Sequence, residues 1–212
     1  MIPDAATLGV FVAAALALLL VPGPAVLYIV ARSVDQGRSA GLVSVLGVHL
    51  GSLVHVTAAA VGLSSLLVSS AVAFGVVKYA GAAYLIYLGV RALIAHEEPA
   101  DVGLRPASLR ALLRQGAVVN ILNPKTALFF LAFLPQFVDA DAGYVAAQLV
   151  FFGLLFVALG LVTDSLYALA AGTAGGWLRS SRFFAGVRRW VSGTVFIGLG
   201  LATALSGSRQ KS

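Results

Sequence analysis

The chain contains no cysteine, only one methionine and few charges. The lack of cysteine excludes disulfides, thiolate metal sites and thiol redox chemistry. Charged residues make up 10% of the 212 positions, against about 25% in a globular domain. A separate soluble domain is excluded too, because apolar runs recur along nearly the whole length. Positive charge is also missing from the start: "MIPDAATLG" carries only Asp4, without the basic opening of a secretory leader. Ala5 to Ala31, which contains the apolar run from Leu8 to Val21, is therefore expected to be a retained span. What is present is hydrophobicity, at 60% of residues and a mean hydropathy of +0.98. This composition describes a membrane protein. The net charge of +6 comes from bases scattered among short segments between apolar runs, a pattern that sets membrane topology and does not bind nucleic acid.

A helix needs about 20 apolar residues to cross the hydrocarbon core. Six such runs lie between charge and turn signals, at about 5–31, 40–67, 72–94, 116–135, 144–174 and 189–206. Alternate connections then fall on opposite sides. One set holds Arg32, Arg38, Arg91, Arg105, Arg110, Arg114, Arg179, Arg182, Arg188 and Arg189, whereas the other holds Lys78, Arg209 and Lys211. This bias puts the first set in the cytoplasm and both termini outside it. Trp177 and Trp190 fall at the cytoplasmic interface and Tyr144 at the outer one, as anchoring aromatics do. The expected organisation is all-α: a three-helix repeat over 1–95, a cytoplasmic linker over 96–115, a second three-helix repeat over 116–206 and a tail over 207–212. Three spans per half is an odd number, so the halves have opposite orientation and form an inverted repeat.

The first spans of the two halves share an interruption. "LLLVPGPAVLYIVA" places Gly23-Pro24 where "VVNILNPKTALFFLA" places Asn123-Pro124. Proline lacks an N–H and displaces the carbonyl four residues earlier, here those of Leu20 and Asn120. Gly or Asn followed by Pro is also a helix start, with the cap first and Pro at the first helical position. Each span is predicted to be two half-helices meeting inside the membrane, tolerated only where they face protein or a polar cavity. Pro24 lies 8 residues before Arg32 and Pro124 lies 10 after Arg114. At 1.5 Å per residue both sit about 12–15 Å deep, near the middle of a core about 30 Å thick.

Lys125, His49 and Asp164 reach the same level by the same counting. A Lys or Asp at the centre of a span costs about 2.5–3.5 kcal/mol, so such residues face an internal cavity and a partner. Lys125 and Asp164 are expected to face one cavity. The positive N-terminal ends of the new half-helices, with Lys125, suit a carboxylate. Asp164 and the freed carbonyls suit an ammonium group. A small zwitterion such as a free amino acid matches both. The expected substrate-binding set is Gly23, Pro24, Asn120, Asn123, Pro124, Lys125 and Asp164, with His49, His55 and Asp164 as candidates for coupling or gating. His49 and His55 lie six residues apart on different helix faces, which argues against a shared metal; an internal hydrogen bond is the expectation for each. His96, Glu97, Glu98 and Asp101 have the composition of a metal site but sit in a polar linker, so no metal and no cofactor is expected. The pairs Gly47 with Gly51 and Gly172 with Gly176 are small-xxx-small spacings that signal close helix packing.

"VPGPAVLYIVARSVDQGRSAGLVSVLGVHLGSLVH", "VKYAGAAYLIYLGVRAL", "NPKTALFFLAFLPQFV" and "VSGTVFIGLGLATAL" together resemble the LysE/RhtB family of bacterial amino-acid exporters, in the family's order and over nearly the whole chain. The family's PGP element falls on Pro22, Gly23 and Pro24, and its NPK element on Asn123, Pro124 and Lys125. The resemblance implies a multi-pass permease of the bacterial inner membrane that exports amino acids or derivatives at the expense of the proton gradient, with a homodimer among its possible assemblies. It implies a transporter, not an enzyme, and leaves open whether the substrate is basic, neutral or sulfur-containing. The alternative from another class is a retinal-type chromoprotein with Lys125 as the Schiff-base lysine and Asp164 as counter-ion. Six spans instead of seven, and two Trp at an interface, weigh against it.

Overall fold

The computed structural model describes residues 3–63 and 107–178 without interruption, together with isolated helical positions between 75 and 94 and between 194 and 205. All regular structure among the described residues is helical. The expected third and sixth spans, Lys78, Trp190, the side chains of Gly176 and Trp177, and the linker positions His96, Glu97, Glu98 and Asp101 lie wholly or largely outside the described residues.

Helix α1 (Ala5–Leu20) starts at Asp4, whose carboxylate accepts hydrogen bonds from the Thr7 backbone N–H at 2.9 Å and the Thr7 hydroxyl at 2.7 Å. The Thr7 N–H, and then its hydroxyl, hold this exposed carboxyl below the ordinary Asp range. The helix stops at Leu20, and α2 (Pro24–Gln36) sets off at 52° to it, with Pro24 as its first residue. Gly37 ends α2 at φ +84°, a left-handed conformation that glycine adopts without steric cost. Helix α3 (Arg38–Ala58) follows directly and finishes in a π-helical turn, Ala59–Leu63.

The second described stretch repeats the pattern. Ser108 caps α4 (Leu109–Ile121), which begins at Leu109, against a span expected from 116. After a break at Leu122 and Asn123 comes α5 (Pro124–Leu128), prolonged by a π-helical turn over Phe129–Phe133 and a 3-10 turn over Leu134–Phe137. This pair is bent by 49°. The last described helix is α6 (Val145–Leu178). Two stretches are by themselves long and apolar enough to cross a membrane, Arg38–Gly62 with mean hydropathy 1.7 and Val145–Thr173 with 2.5. Counting each bent pair as one span brings the described candidates to four.

Packing explains two features of composition. The glycines on α3 let its backbone touch that of α4: a Cβ on Gly51 would come within 2.7 Å of the Ala117 carbonyl oxygen, and one on Gly116 within 2.8 Å of the Ser44 carbonyl oxygen. Gly47 abuts Leu113 in the same seam, and Gly172 of α6 abuts Arg38. This is the close approach that small residues permit where lipid offers no hydrophobic drive between helices. The phenylalanines gather at one end of the bundle. Phe11, Phe129, Phe133, Phe137, Phe152 and Phe156 interlock there, with centroid separations of 4.7 Å for Phe11 and Phe152 and 4.4 Å for Phe129 and Phe156. Such ring pairs add about 0.5–1.5 kcal/mol beyond area burial.

The other end is closed by polar contacts. Arg32, only 7% exposed, donates to Gln115 at 2.9 Å and to Gln36 at 3.2 Å, while the Tyr28 hydroxyl donates to the Leu112 carbonyl at 2.9 Å. Gln36 in turn exchanges hydrogen bonds with the backbone of Ala107. Helix α2 is thereby tied to the start of α4. The glycine seam carries a direct test. Gly116→Ala is expected to lower stability by about 1–3 kcal/mol through overpacking, seen as a lower thermal midpoint of the detergent-solubilised protein. Gly9→Ala, with nothing within 4 Å of the added Cβ, is expected to leave the midpoint unmoved.

Candidate functional site

The two breaks meet. At the first, the carbonyl oxygens left over at the end of α1 do not stay open: that of Leu20 accepts from the Tyr167 hydroxyl at 2.7 Å, and that of Val21 accepts from the Lys125 ammonium. Gly23 provides no side-chain cap for α2, so the first N–H groups of that helix keep their positive end free of an internal carboxylate or hydroxyl. A Cβ on Gly23 would lie 3.0 Å from Cδ of Lys125. Glycine is therefore what lets the lysine stem cross the mouth of the first break.

At the second break, Asn123 caps α5 by accepting from the Lys125 backbone N–H at 3.1 Å. Asn120 organises the residues around it. Its Nδ2 donates to the Val48 carbonyl and to the Ser52 hydroxyl, each at 2.9 Å, and its Oδ1 accepts from Thr126 at 2.9 Å. The carbonyl of Asn120, released by Pro124, is in contact with His55 Nε2 at 3.0 Å. The freed carbonyls of Leu20 and Asn120 were expected to be available to an ammonium group. In this conformation that of Leu20 accepts from the Tyr167 hydroxyl and that of Asn120 accepts from the Asn123 N–H at 3.1 Å and also meets His55, because a bare carbonyl in an apolar interior is costly.

Lys125, His49 and Asp164 line one small cavity with Gly23, Asn120, Asn123, Ser52 and Thr126, walled otherwise by Leu18, Leu19, Val26, Val48 and Phe156. Lys125 is 7% exposed, His49 4% and Asp164 3%, which makes this the buried charged centre of the described bundle. The direct partner of Asp164 is not the lysine but His49, with Nε2 3.1 Å from Oδ2. Both charges nevertheless border the same space. His55, six residues on, points elsewhere, to Asn120 and to a stack on Phe130 at 5.8 Å. Of the candidate residues, Gly23, Asn120, Asn123, Lys125, His49 and Asp164 line the cavity itself, while Pro24 and Pro124 shape the two breaks and His55 supports one of them.

Sequence reading missed Tyr167, Thr126, Ser52 and Gly160. Tyr167 stands three residues after Asp164, a helical neighbour position that could have flagged it. Gly160, four residues before Asp164, leaves room for the His49 ring, which an added Cβ would strike. No cluster of three or more metal-ligating side chains occurs among the described residues. The cavity holds about 30 Å³, against about 300–1,000 Å³ for small-molecule pockets. An amino acid does not fit without movement. A larger hollow of about 560 Å³ is lined, among the described residues, by Ser108, Arg110, Ala111, Arg114, Gln115, Val118 and Val119 of α4 and its cap. The two-break cavity is the one that brings together side chains from several helices and both breaks among the described residues.

Comparison with known proteins decides the family. Residues 16–207 match the model of the LysE type translocator. The chain belongs to that family. An uncharacterized membrane protein of Pseudomonas aeruginosa, PA4757, is 33% identical over 88% of this chain and 90% of its own. YrhP, an uncharacterized membrane protein of Bacillus subtilis, is 28% identical over 89% and 94%. A leucine efflux protein of Klebsiella pneumoniae is 27% identical over 89% and 90%. No solved structure matches. As a LysE-type translocator the protein is a multi-pass membrane transporter of the amino-acid exporter class, which does not favour the chromoprotein alternative.

The polar core of the translocator can be probed through Asn120. Asn120→Leu takes the acceptor from the Thr126 hydroxyl and from Asn123 Nδ2, and a donor from the Val48 carbonyl and Ser52, in a buried place. Each unsatisfied group costs about 1–3 kcal/mol, so the variant is expected to melt well below the parent, and Ser52→Ala, which removes one of these contacts, only slightly below it.

Proposed function

We propose that this translocator exports neutral aliphatic amino acids across the bacterial inner membrane, driven by the proton gradient, through alternating access around the two-break cavity. The observation that carries the reading is the opposition of Lys125 and Asp164 across one buried space at the junction of two bent helix pairs. A zwitterion carries both charges on one small molecule, and this cavity is lined by one basic and one acidic side chain. The substrate carboxylate is assigned to the uncapped N-terminus of α2 together with Lys125. Its ammonium is assigned to Asp164 and to the Val21 carbonyl that Lys125 now covers. The remaining lining from Leu18, Leu19, Val26, Val48 and Phe156 favours an apolar side chain over a basic one, in keeping with relatives named as leucine efflux proteins.

Lys125 and Asp164 are the movable parts in this reading, and release of Lys125 from Val21 makes room for the substrate. The full assembly is taken to be two inverted three-helix repeats over 1–95 and 116–206, with a cytoplasmic linker, both termini outside, and rocking of one repeat against the other to expose the site alternately. Lipid, protons and the amino acid are then its partners, with a homodimer as the assembly the family implies. In this reading the small cavity belongs to a conformation between openings.

Export from cells overproducing the protein tests this reading, with a panel of amino acids and toxic analogues. Leucine, isoleucine and valine are expected to leave faster than in control cells, lysine and arginine at the control rate. Lys125→Met and Asp164→Asn, each with normal membrane insertion, are expected to bring leucine export down to the control rate. Undiminished export by both variants contradicts the site assignment.

A further inference from the structure

The His49–Asp164 pair carries two unsatisfied atoms. Oδ2 of Asp164 meets His49 Nε2 at 3.1 Å, but Oδ1 of Asp164 and Nδ1 of His49 are both buried without a hydrogen-bond partner. Buried polar atoms in folded proteins are nearly always paired, so two orphans on one contact call for an explanation. The place is built for the pair. Gly160, one turn before Asp164 on α6, opens the slot that the imidazole fills, and Leu19 closes its side. A structural ion pair would be better served by a further donor to Oδ1, and Thr163, the adjacent hydroxyl, donates to the Gly160 carbonyl instead.

We propose that His49 and Asp164 together form the proton-binding site of this translocator, and that a proton on the pair and the ammonium of the substrate exclude each other. The proposal rests on the exporter reading above and gives it a coupling mechanism. In the unprotonated pair, neutral His49 donates Nε2–H to Asp164, which leaves one negative charge and the open Oδ1 to receive an ammonium group. A proton taken up at Nδ1 turns the pair into an imidazolium beside a carboxylate, neutral in sum. Neutralisation lowers the cost of burial, but it removes the charge that attracts the ammonium and sets a cation in its place. The two ligands therefore compete for one negative charge. From the proton-rich side the pair gains a proton and the amino acid leaves; toward the cytoplasm the proton leaves and the next amino acid binds. The proton belongs to the pair as a unit.

Among the described residues the other ionisable groups near the pair are few. Helix α5 presents Lys125 to the same cavity, and the Tyr167 hydroxyl on α6 is engaged with the Leu20 carbonyl. Helix α2 offers only Gly23, Ala25 and Val26 at this level, α4 only Asn120, and α1 only Leu18 and Leu19. His55, on α3 itself, turns to Asn120 and Phe130. Of these groups, His49 is the one in direct contact with Asp164.

The test is binding of radiolabelled leucine to the purified full-length protein in lipid nanodiscs, with proton release followed by an indicator dye in weak buffer. The parent protein is expected to release close to one proton per leucine bound on the acidic side of the pair's titration, and to lose about tenfold in affinity for each pH unit further down. His49→Gln is expected to bind leucine with no such slope and no proton release. The proposal is overturned if the parent binds leucine without releasing a proton, a result that needs no variant to fold, or if His49→Gln retains the slope. Absence of any amino-acid binding by the parent would instead overturn the exporter reading itself, and the proposal with it.

Discussion

The Lys125 ammonium rests against the Val21 carbonyl, and this contact fastens the break in one bent helix pair to the break in another. Most of the buried centre depends on it. The lysine belongs to the second break and the carbonyl to the first, so the contact joins the two. A lysine at mid-membrane costs several kcal/mol when it lies alone, and a carbonyl left over by a helix end costs a further amount when it is bare. Each offsets the other. Glycine at position 23 eases the arrangement, since an added Cβ would lie 3.0 Å from Cδ of the lysine stem.

Around that contact the molecule is closed from both ends by different chemistry. Interlocked phenylalanines from α1, the stretch Phe129–Phe137 and the first half of α6 fill one end. At the other end, Arg32, Gln36, Tyr28 and Gln115 tie α2 to α4 through hydrogen bonds that solvent could replace at little cost. Between them the glycine seam of α3 and α4 holds two backbones in contact.

Much of this was legible from local chemistry. A Pro with its own cap residue breaks an apolar helix wherever it lies, and both Gly23-Pro24 and Asn123-Pro124 do so, at 52° and 49°. Charges were locatable in depth because an apolar run between basic flanks has a countable rise. That counting brings Lys125, His49 and Asp164 to one level, and the structure brings them to one cavity. The start of α4 was less legible: Leu109–Gln115 carries Arg110 and Arg114, which read as linker until Ser108 is seen to cap a helix there.

Composition, breaks and depth follow from the chain alone, since bilayer thickness and the missing N–H of proline act on it residue by residue. Which neutral or charged partner each polar group takes does not. Asp164 meets His49 and not Lys125, and Tyr167 and His55 cover the carbonyls that proline released, because helices α3 and α6 pack at a rotation that sequence spacing leaves undetermined. Side-chain direction on a helix is known only to within the face it occupies. The choice among several polar groups on facing helices falls to the packing, where a glycine such as Gly160 can open one slot and leave the others filled.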